Sequence, residues 1–439
     1  MNDRNLKTLG DYITVKHGFA FKGKFFADGP TDDVLVTPGN FAIGGGFKDD
    51  KLKHYSGPVP EEYVLKEGDL VITMTDLSKA GDTLGYPALI PQSAGRRYLH
   101  NQRIGLVQID DQADADTRFL FYRLCASDYR HHVLSTASGS TVRHTSPSRI
   151  YEFATILPPL DEQRAIASVL GALDDKIEQN RRTAQALEQL ARAIFRAWFV
   201  DFEPVKAKAA GATSFPAMPN QVFEALPSEI YSCPSGSAPS GWTLEPLDQA
   251  IKVNPARRLQ RGTIAPYLPM SQIPTTTHVA DGWSMREVGT GSKFTNGDTL
   301  VARITPCLEN GKTAFVDFLK QGEVAWGSTE YIVLRPNQPI PPVWAYLLAR
   351  TSEFRTFSIR SMSGTSGRQR VPYDALSKFN VAVAPASIME AFAEIVEPVL
   401  ARSSAAIRES KKLVEMRDLM LPRLLSERIL PAEYAGPSK

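Results

Sequence analysis

Cysteine is scarce: Cys125, Cys233 and Cys307 are the only three in 439 residues, far apart and without a Cys-x-x-Cys pair. This excludes a disulfide framework or a cysteine-based metal site and leaves free structural thiols. No apolar run approaches the roughly 18 residues of a membrane span. The opening MNDRNLKTLGDY is polar and lacks the apolar stretch of a signal peptide, so a cytoplasmic chain with no membrane partner is expected. Charge of one sign is also lacking. The net value is +2, so any nucleic-acid surface must be local and offset by acids elsewhere.

Catalytic signatures are missing too. NPAR at Asn254 lacks the second proline and the aromatic of the Asn-Pro-Pro-aromatic motif of amino-methyltransferases. GTGSKF at Gly289 lacks the spacing of a phosphate loop. Asp201, Glu203 and Lys206 have the wrong spacing for a metal nuclease, and His100, His131 and His132 have no evident metal partners. The expectation is a non-catalytic chain with no catalytic residue, no metal and no bound cofactor.

What is present is a repeat. STASGSTVRHTSP (Ser135 to Pro147) returns as RSMSGTSGRQRVP (Arg360 to Pro372), and the likeness spreads outward. FLFYRLCASDYR from Phe119 meets WAYLLARTSEFR from Trp344. FATILPP from Phe153 meets FNVAVAP from Phe379. KEGDLVITMTD resembles TNGDTLVARIT, a Gly-Asp turn followed by a strand pattern, and LGDYITV from Leu9 resembles LDQAIKV from Leu247. The order of elements is kept in both halves. A duplicated unit follows: a mixed strand-and-helix domain of about 150 residues, then a long helix.

After LPPL, Asp161 can cap a helix that runs to about Phe199, interrupted only by Gly171. Its stripe includes Ile166, Val169, Leu173, Leu187, Leu190 and Ile194. The second copy runs from Ser387 to Leu421 with Phe392, Val399, Leu413, Met416 and Met420, and Pro398 inside it can kink it. Each stripe wants a partner, and the economical partner is the other helix, giving an intramolecular coiled coil. Asn180 falls in the first stripe, where a polar residue sets register. The fold class expected is α+β: two tandem mixed α/β domains separated by two long antiparallel helices, one half a pseudo-two-fold copy of the other. The boundaries are 1–158 for the first domain, 159–200 for its helix and 201–240 for an irregular Ala-, Gly-, Ser- and Pro-rich linker. Then come 241–385 for the second domain, 386–422 for its helix and 423–439 for a tail.

Polar recognition chemistry sits on segments read as loops, present in both halves. In the first half these hold Arg96, Arg97, Asn101, Gln102 and Arg103, then Ser138, Thr141 and Arg143. In the second they hold Arg257, Arg258 and Arg261, then Ser363, Thr365, Arg368, Gln369 and Arg370. Arg pairs bidentately with guanine and Asn or Gln with adenine, while hydroxyls and backbone amides hold phosphates. Double-stranded DNA is the partner this chemistry suits.

LPPLDEQRAIASVLGALDDKIEQNRRTAQALEQLARAIFRAWFVDFEPV resembles the central conserved region of the specificity subunit of Type I restriction-modification systems. LVEMRDLMLPRLLSERI from Leu413 resembles the distal conserved region of that family. HGFAFKGKFF and GDLVITMTD are similar to its target-recognition domains. The resemblance implies two target-recognition domains, each reading half of a split DNA target, on a subunit that is itself non-catalytic. It implies as partners two methyltransferase subunits using S-adenosylmethionine and two translocase-nuclease subunits using ATP and Mg2+. The second helix departs from the family wording: APASIMEAFAEI stands where LPPLDEQRAIASV stood. A DNA-binding scaffold of another defence or methylation assembly is the alternative reading.

Overall fold

The computed structural model describes residues 7–49, 51–92, 95–234, 236–365 and 367–429. The chain forms two compact units, one from Met1–Lys176 with Lys412–Lys439, the other from Ile177–Lys411. The division falls within the long helices rather than at the expected boundaries, because each globular part holds a stretch of both.

In the first unit, strands Ile13–His17, Ile104–Ile109, Leu70–Thr73 and Pro87–Leu89 lie side by side in that order, all antiparallel. Alternation along Ile13–His17 buries Ile13 and Val15 against Leu70, Ile72 and Val107 and leaves Thr14 in water. A second sheet orders Phe26–Ala27, Lys53–Tyr55, Asp33–Val36, Arg97–His100 and Val64–Leu65, with Asp33–Val36 and Arg97–His100 parallel. The helices Thr117–Cys125 and Ser127–Thr136 follow. Asp116 caps the first of them by accepting the Phe119 amide at 2.9 Å.

The second unit has the same topology. Ile251–Val253, Tyr331–Pro336, Thr299–Ala302 and Thr313–Phe315 repeat the first sheet strand for strand. Ser284–Glu287, Ile264–Leu268, Ala325–Gly327 and Lys293–Phe294 repeat four of the other sheet's five strands, without a counterpart of Phe26–Ala27 and again with one parallel pair, Ile264–Leu268 on Ala325–Gly327. Pro342–Ala349 and Ser352–Arg360 are the helix pair, with Thr351 as a cap in place of the bond Asp116 makes one helix earlier. The duplication read from the sequence is therefore a duplication of strand order, which is why so few identities survive in it.

The long helices are Leu160–Phe199 and Ala386–Ile429. Asp161 lies in the first turn and not at the cap, and Pro398 sits inside an unbroken helix. The second helix runs on to Ile429 rather than stopping at 422; residues 430–439 of the expected tail lie outside the described residues. The helices pair antiparallel. In the second unit Asn180 meets Glu409, Ser403 donates to the Ala184 carbonyl at 3.2 Å, and Phe199 meets Phe392 at 4.9 Å between ring centroids. In the first unit Asp174 meets Arg417.

The seam is less apolar than the stripe suggested. Ile166, Ile194 and Phe392 are buried, and Leu173, Leu187, Val399, Leu413 and Met420 are half-buried. Val169, Leu190 and Met416 are exposed. Small and polar residues, Ala184, Ser403 and Asn180, take the close contacts instead. Gly171 has a local reason: a Cβ there would stand 2.5 Å from the Arg118 guanidinium carbon, whose Nη2 donates to the Gly171 carbonyl.

The linker is the main correction. Residues 201–240 are not mostly irregular: they form helices Glu203–Ala209 and Asn220–Ala225 and a hairpin of Ile230–Cys233 with Gly236–Pro239. Phe202, Val205, Met218, Phe223 and Leu226 are buried in the core of the second unit with Trp198, Phe199 and Trp242. Each such ring or aliphatic chain contributes about 1.5–3 kcal/mol on leaving water, so the spaced apolar residues outweigh the turn-forming composition around them.

Candidate nucleic-acid interface

The twice-written phrase folds the same way in both units. Ser138 and His144 exchange both backbone hydrogen bonds, at 2.9 and 2.8 Å, and so do Ser363 and Arg370, at 3.0 and 2.9 Å. The residue after each serine is a glycine with positive φ, +92° at Gly139 and +120° at Gly364. At Gly139 a Cβ would lie 2.0 Å from the Val142 carbonyl oxygen, so the turn closes only without a side chain. The Ser-Gly repeated in the sequence is the code for this hairpin.

Each hairpin is then fastened to one residue at the end of a central strand. Thr145 N donates to the Met74 carbonyl at 3.0 Å, and Val371 N to the Arg303 carbonyl at 2.9 Å. The same two residues donate their own amides to the turn that joins the sheets: Met74 N to Arg103 O at 2.9 Å, Arg303 N to Glu330 O at 3.0 Å. Asn101, Gln102 and Arg103 are thus brought together with Ser138, Thr141 and Arg143. Ser363, Thr365, Arg368, Gln369 and Arg370 are brought together with Ser328–Glu330.

GRRYLHNQR, read as one loop, is divided. Arg97–His100 is a strand, so Arg96 and Arg97 stand at its far end, roughly 13–17 Å from Asn101 at 3.3 Å per residue. Arg97 is bound by Asp33 through two bonds of 2.7 and 2.8 Å, and Arg96 is exposed beside it. In the second unit Arg257 is bound by Asp298, a carboxylate with no exposed surface that also holds Arg335 at 2.7 Å. Its charge is neutralised inside the fold. Arg258 is exposed, and Arg261 reaches the Thr290 hydroxyl at 3.2 Å. Arg370 is paired with Glu330 at 2.8 Å, with part of its guanidinium still in water. Arg103, Gln102, Ser138, Thr141, Ser363, Thr365 and Arg368 are exposed, while Asn101, Arg143 and Gln369 are half-buried.

The sequence reading missed the segments that support these residues. Residues 76–83 are folded around the buried Asp76, which accepts the amides of Ser78 and Thr83 and the Thr83 hydroxyl. Burial pushes its carboxyl up, but those hydrogen bonds outweigh burial and hold it below the ordinary carboxylate range. Arg130 donates to the carbonyls of Gly81 and Leu84, and Arg350 to that of Gly311 at 2.7 Å, so each unit has an arginine fastening this loop. The TMTD and ARIT strand ends were the available signal, since a strand leading into polar residues opens a loop.

His100, fully buried beneath Asn101, is held by its Nε2 on the Ile104 carbonyl at 2.9 Å, and desolvation lowers it from the usual histidine value to about 4. In the second unit Asn254, Arg257, Thr290–Lys293, Thr329 and Tyr373 line a cavity of about 430 Å³. The Arg303 guanidinium lies 3.8 Å from the Tyr373 ring centroid. Chemically the arrangement offers donors, hydroxyls and cations on ordered loops. Among the described residues, no group of three or more His, Cys, Asp or Glu side chains is placed to hold a metal.

No described helix is long and apolar enough to cross a membrane. Residues 1–189 match the model of the Type I restriction modification DNA specificity domain family. The specificity subunit of the HindI Type I restriction enzyme from Haemophilus influenzae is 24% identical over 364 residues, covering 71% of this chain and 77% of its own. The MjaIX specificity subunit of Methanocaldococcus jannaschii is 22% identical, covering 70% and 68%. The crystal structure of an M. genitalium Type I restriction-modification S subunit aligns with 97% of this chain and 98% of its own, at a TM-score of 0.57 and 14% identity. That likeness is one of fold.

Proposed function

We propose that this chain, which belongs to the specificity subunits of Type I restriction-modification systems, recognises a two-part DNA target with one globular unit per half-site. The observation that carries the reading is the duplicated hairpin. Two units present equivalent loops, fastened to equivalent strand ends, with different side chains on them. A split target is suited by two modules of one construction, and divergence of the side chains lets the halves differ. Arg103 and Arg368, with the hydroxyls of Ser138, Thr141, Ser363 and Thr365, are the contacts we assign to phosphate or base edges. Arg97 and Arg257 support the fold instead.

The chain's own role is binding and scaffolding, without catalysis. In the complex we propose, two methyltransferase subunits supply S-adenosylmethionine chemistry. Two translocase-nuclease subunits supply ATP- and Mg2+-dependent cleavage. The long helices connect these functions to the DNA-reading loops.

The test is a chimera in which residues 1–157 are replaced by the corresponding part of a relative, expressed with its methyltransferase, and read by methylation of a randomised target library. One half-site changes and the other stays. If both halves change, or no methylation depends on this chain, the proposal fails.

A further inference from the structure

The second unit contains a buried polar chain that has no part in the DNA-facing loops. His278, 1% exposed, stands on the loop that leaves Ile264–Leu268 through the turn Met270–Gln272. Its Nδ1 lies 2.9 Å from Glu188 Oε2 on the first long helix, and its Nε2 lies 2.7 Å from Ser404 Oγ on the second. Glu188 also takes the Tyr346 phenol and the Arg192 guanidinium, the latter at 3.0 Å. Burial alone would raise the Glu188 carboxyl, but the hydrogen bonds and charges of His278, Arg192 and Tyr346 outweigh it and hold it below the ordinary range. Ser404 donates to Asp317, which Arg408 meets at 2.6 Å. The loop backbone is tied as well: Arg192 donates to Thr276 O at 2.9 Å, and Lys411 Nζ to Ala280 O and Asp281 O at 3.1 and 2.7 Å.

The counterpart loop in the first unit is held within its own domain: Gly46 N donates to Pro87 O at 2.8 Å, and the buried Asn40 amide donates to Lys48 O and Lys51 O at 3.1 and 3.2 Å. Counted from the turns Pro38–Asn40 and Met270–Gln272, Gly46 holds the position of His278. Gly44, Gly45 and Gly46 all have positive φ, at +91°, +98° and +101°. A Cβ on Gly45 would lie 2.4 Å from the Cys125 sulfur, so no side chain fits there. The loop faces a cavity of about 760 Å³ lined by Tyr122, Cys125, Leu134, Leu421 and Leu425. Among the described residues, Phe41–Asp49 make no hydrogen bond or ion pair with either long helix.

We propose that His278 is a positioning residue that locks the loop after Ile264–Leu268 to both long helices and so sets how strictly the second unit reads its half-site. The proposal rests on the two-part DNA reading given above. Ile264–Leu268 runs into the His278 loop and pairs in parallel with Ala325–Gly327, which leads into Ser328–Glu330 beside the Ser363–Arg370 hairpin. A braced strand holds its loop in one geometry, so a mismatched base meets contacts that cannot rearrange.

The test uses the full chain in its methyltransferase complex, with His278→Ala, His278→Asn and Ser404→Ala. Amide hydrogen exchange without DNA is the first readout. In His278→Ala, amides of residues 264–281 should exchange at least about tenfold faster than in wild type, while those of 41–49 stay unchanged. His278→Asn, which keeps a side-chain donor, should restore part of the protection. Methylation of a library with single mismatches in each half is the second readout. His278→Ala should lower discrimination in the second unit's half-site by about tenfold, the scale of one mismatched pair, and leave the other half unchanged. If His278→Ala does not fold, Ser404→Ala carries the same two expectations at smaller size.

Unchanged exchange of residues 264–281 in His278→Ala, or faster exchange with undiminished discrimination, overturns the proposal. If the library shows no two-part target, the DNA reading fails instead, while exchange still decides whether His278 braces the loop.

Discussion

The side-chain amide of Asn180 donates to Glu409 Oε2 at 2.8 Å, joining the two long helices across 229 residues of chain. Asn180 is 5% exposed, whereas Glu409 reaches solvent. Asn180→Ala should therefore lose a hydrogen bond and some packing, about 1–2 kcal/mol, seen as a lower melting temperature. Asn180→Leu should not melt lower, because Glu409 can rehydrate and the seam gains apolar contact. A lower melting temperature for both would mean that the polar pair itself is the stabilising element.

Arginines free in the structure should separate from arginines held by it. Arg103→Ala should weaken DNA binding and reduce its salt dependence by about one ion if it meets a phosphate. If it meets a base, one position of the target should relax, at roughly 1–3 kcal/mol. Arg97→Ala should leave affinity and target unchanged, since its guanidinium is bound to Asp33. Titrations across salt concentrations check both, and equal losses for the two variants would contradict the assignment.

Asp298 is fully buried between Arg257 and Arg335 and accepts the Thr295 amide at 2.8 Å. Asp298→Ala strands two guanidinium groups and should cost about 3–5 kcal/mol. Unfolding should be confined to the second unit, so limited proteolysis should spare the first. A variant that melts like the wild type would show that the pair contributes nothing.

His100 should make the first unit acid-sensitive. Its folded value is about 4 against an ordinary 6.5, because burial disfavours the charged ring. Between those values the unfolded chain takes up a proton that the folded one refuses. Stability from this group is therefore full above pH 6.5 and falls as pH drops toward 4, by up to about 3 kcal/mol. His100→Gln should flatten this slope in thermal melts between pH 7 and 4.5; an unchanged slope would assign it to other groups.

Much was legible without coordinates. The repeat, the two long helices and their mutual packing follow from apolar periodicity and element order, which local sequence carries directly. The Ser-Gly phrase was legible as important, but its reason was not: the positive φ at Gly139 and Gly364 belongs to a turn whose closure depends on a partner strand. The linker misled because Gly, Ser and Pro signal turns by composition, whereas Phe202, Phe223 and Leu226 are ordered by a core lying elsewhere in the chain.

Element order and apolar periodicity alone show that two copies of one mixed unit exist, that each ends in a long helix, and that one Ser-Gly phrase stands at the same place in both. These properties depend on neighbours a few residues apart. Only the tertiary structure decided which arginines are available. Asp33 lies 64 residues from Arg97, and Asp298 lies 41 from Arg257. It also decided that His278 meets Glu188 and Ser404, 90 and 126 residues away. A charge is neutralised by what lies within a few ångströms in space, and sequence spacing does not carry that distance.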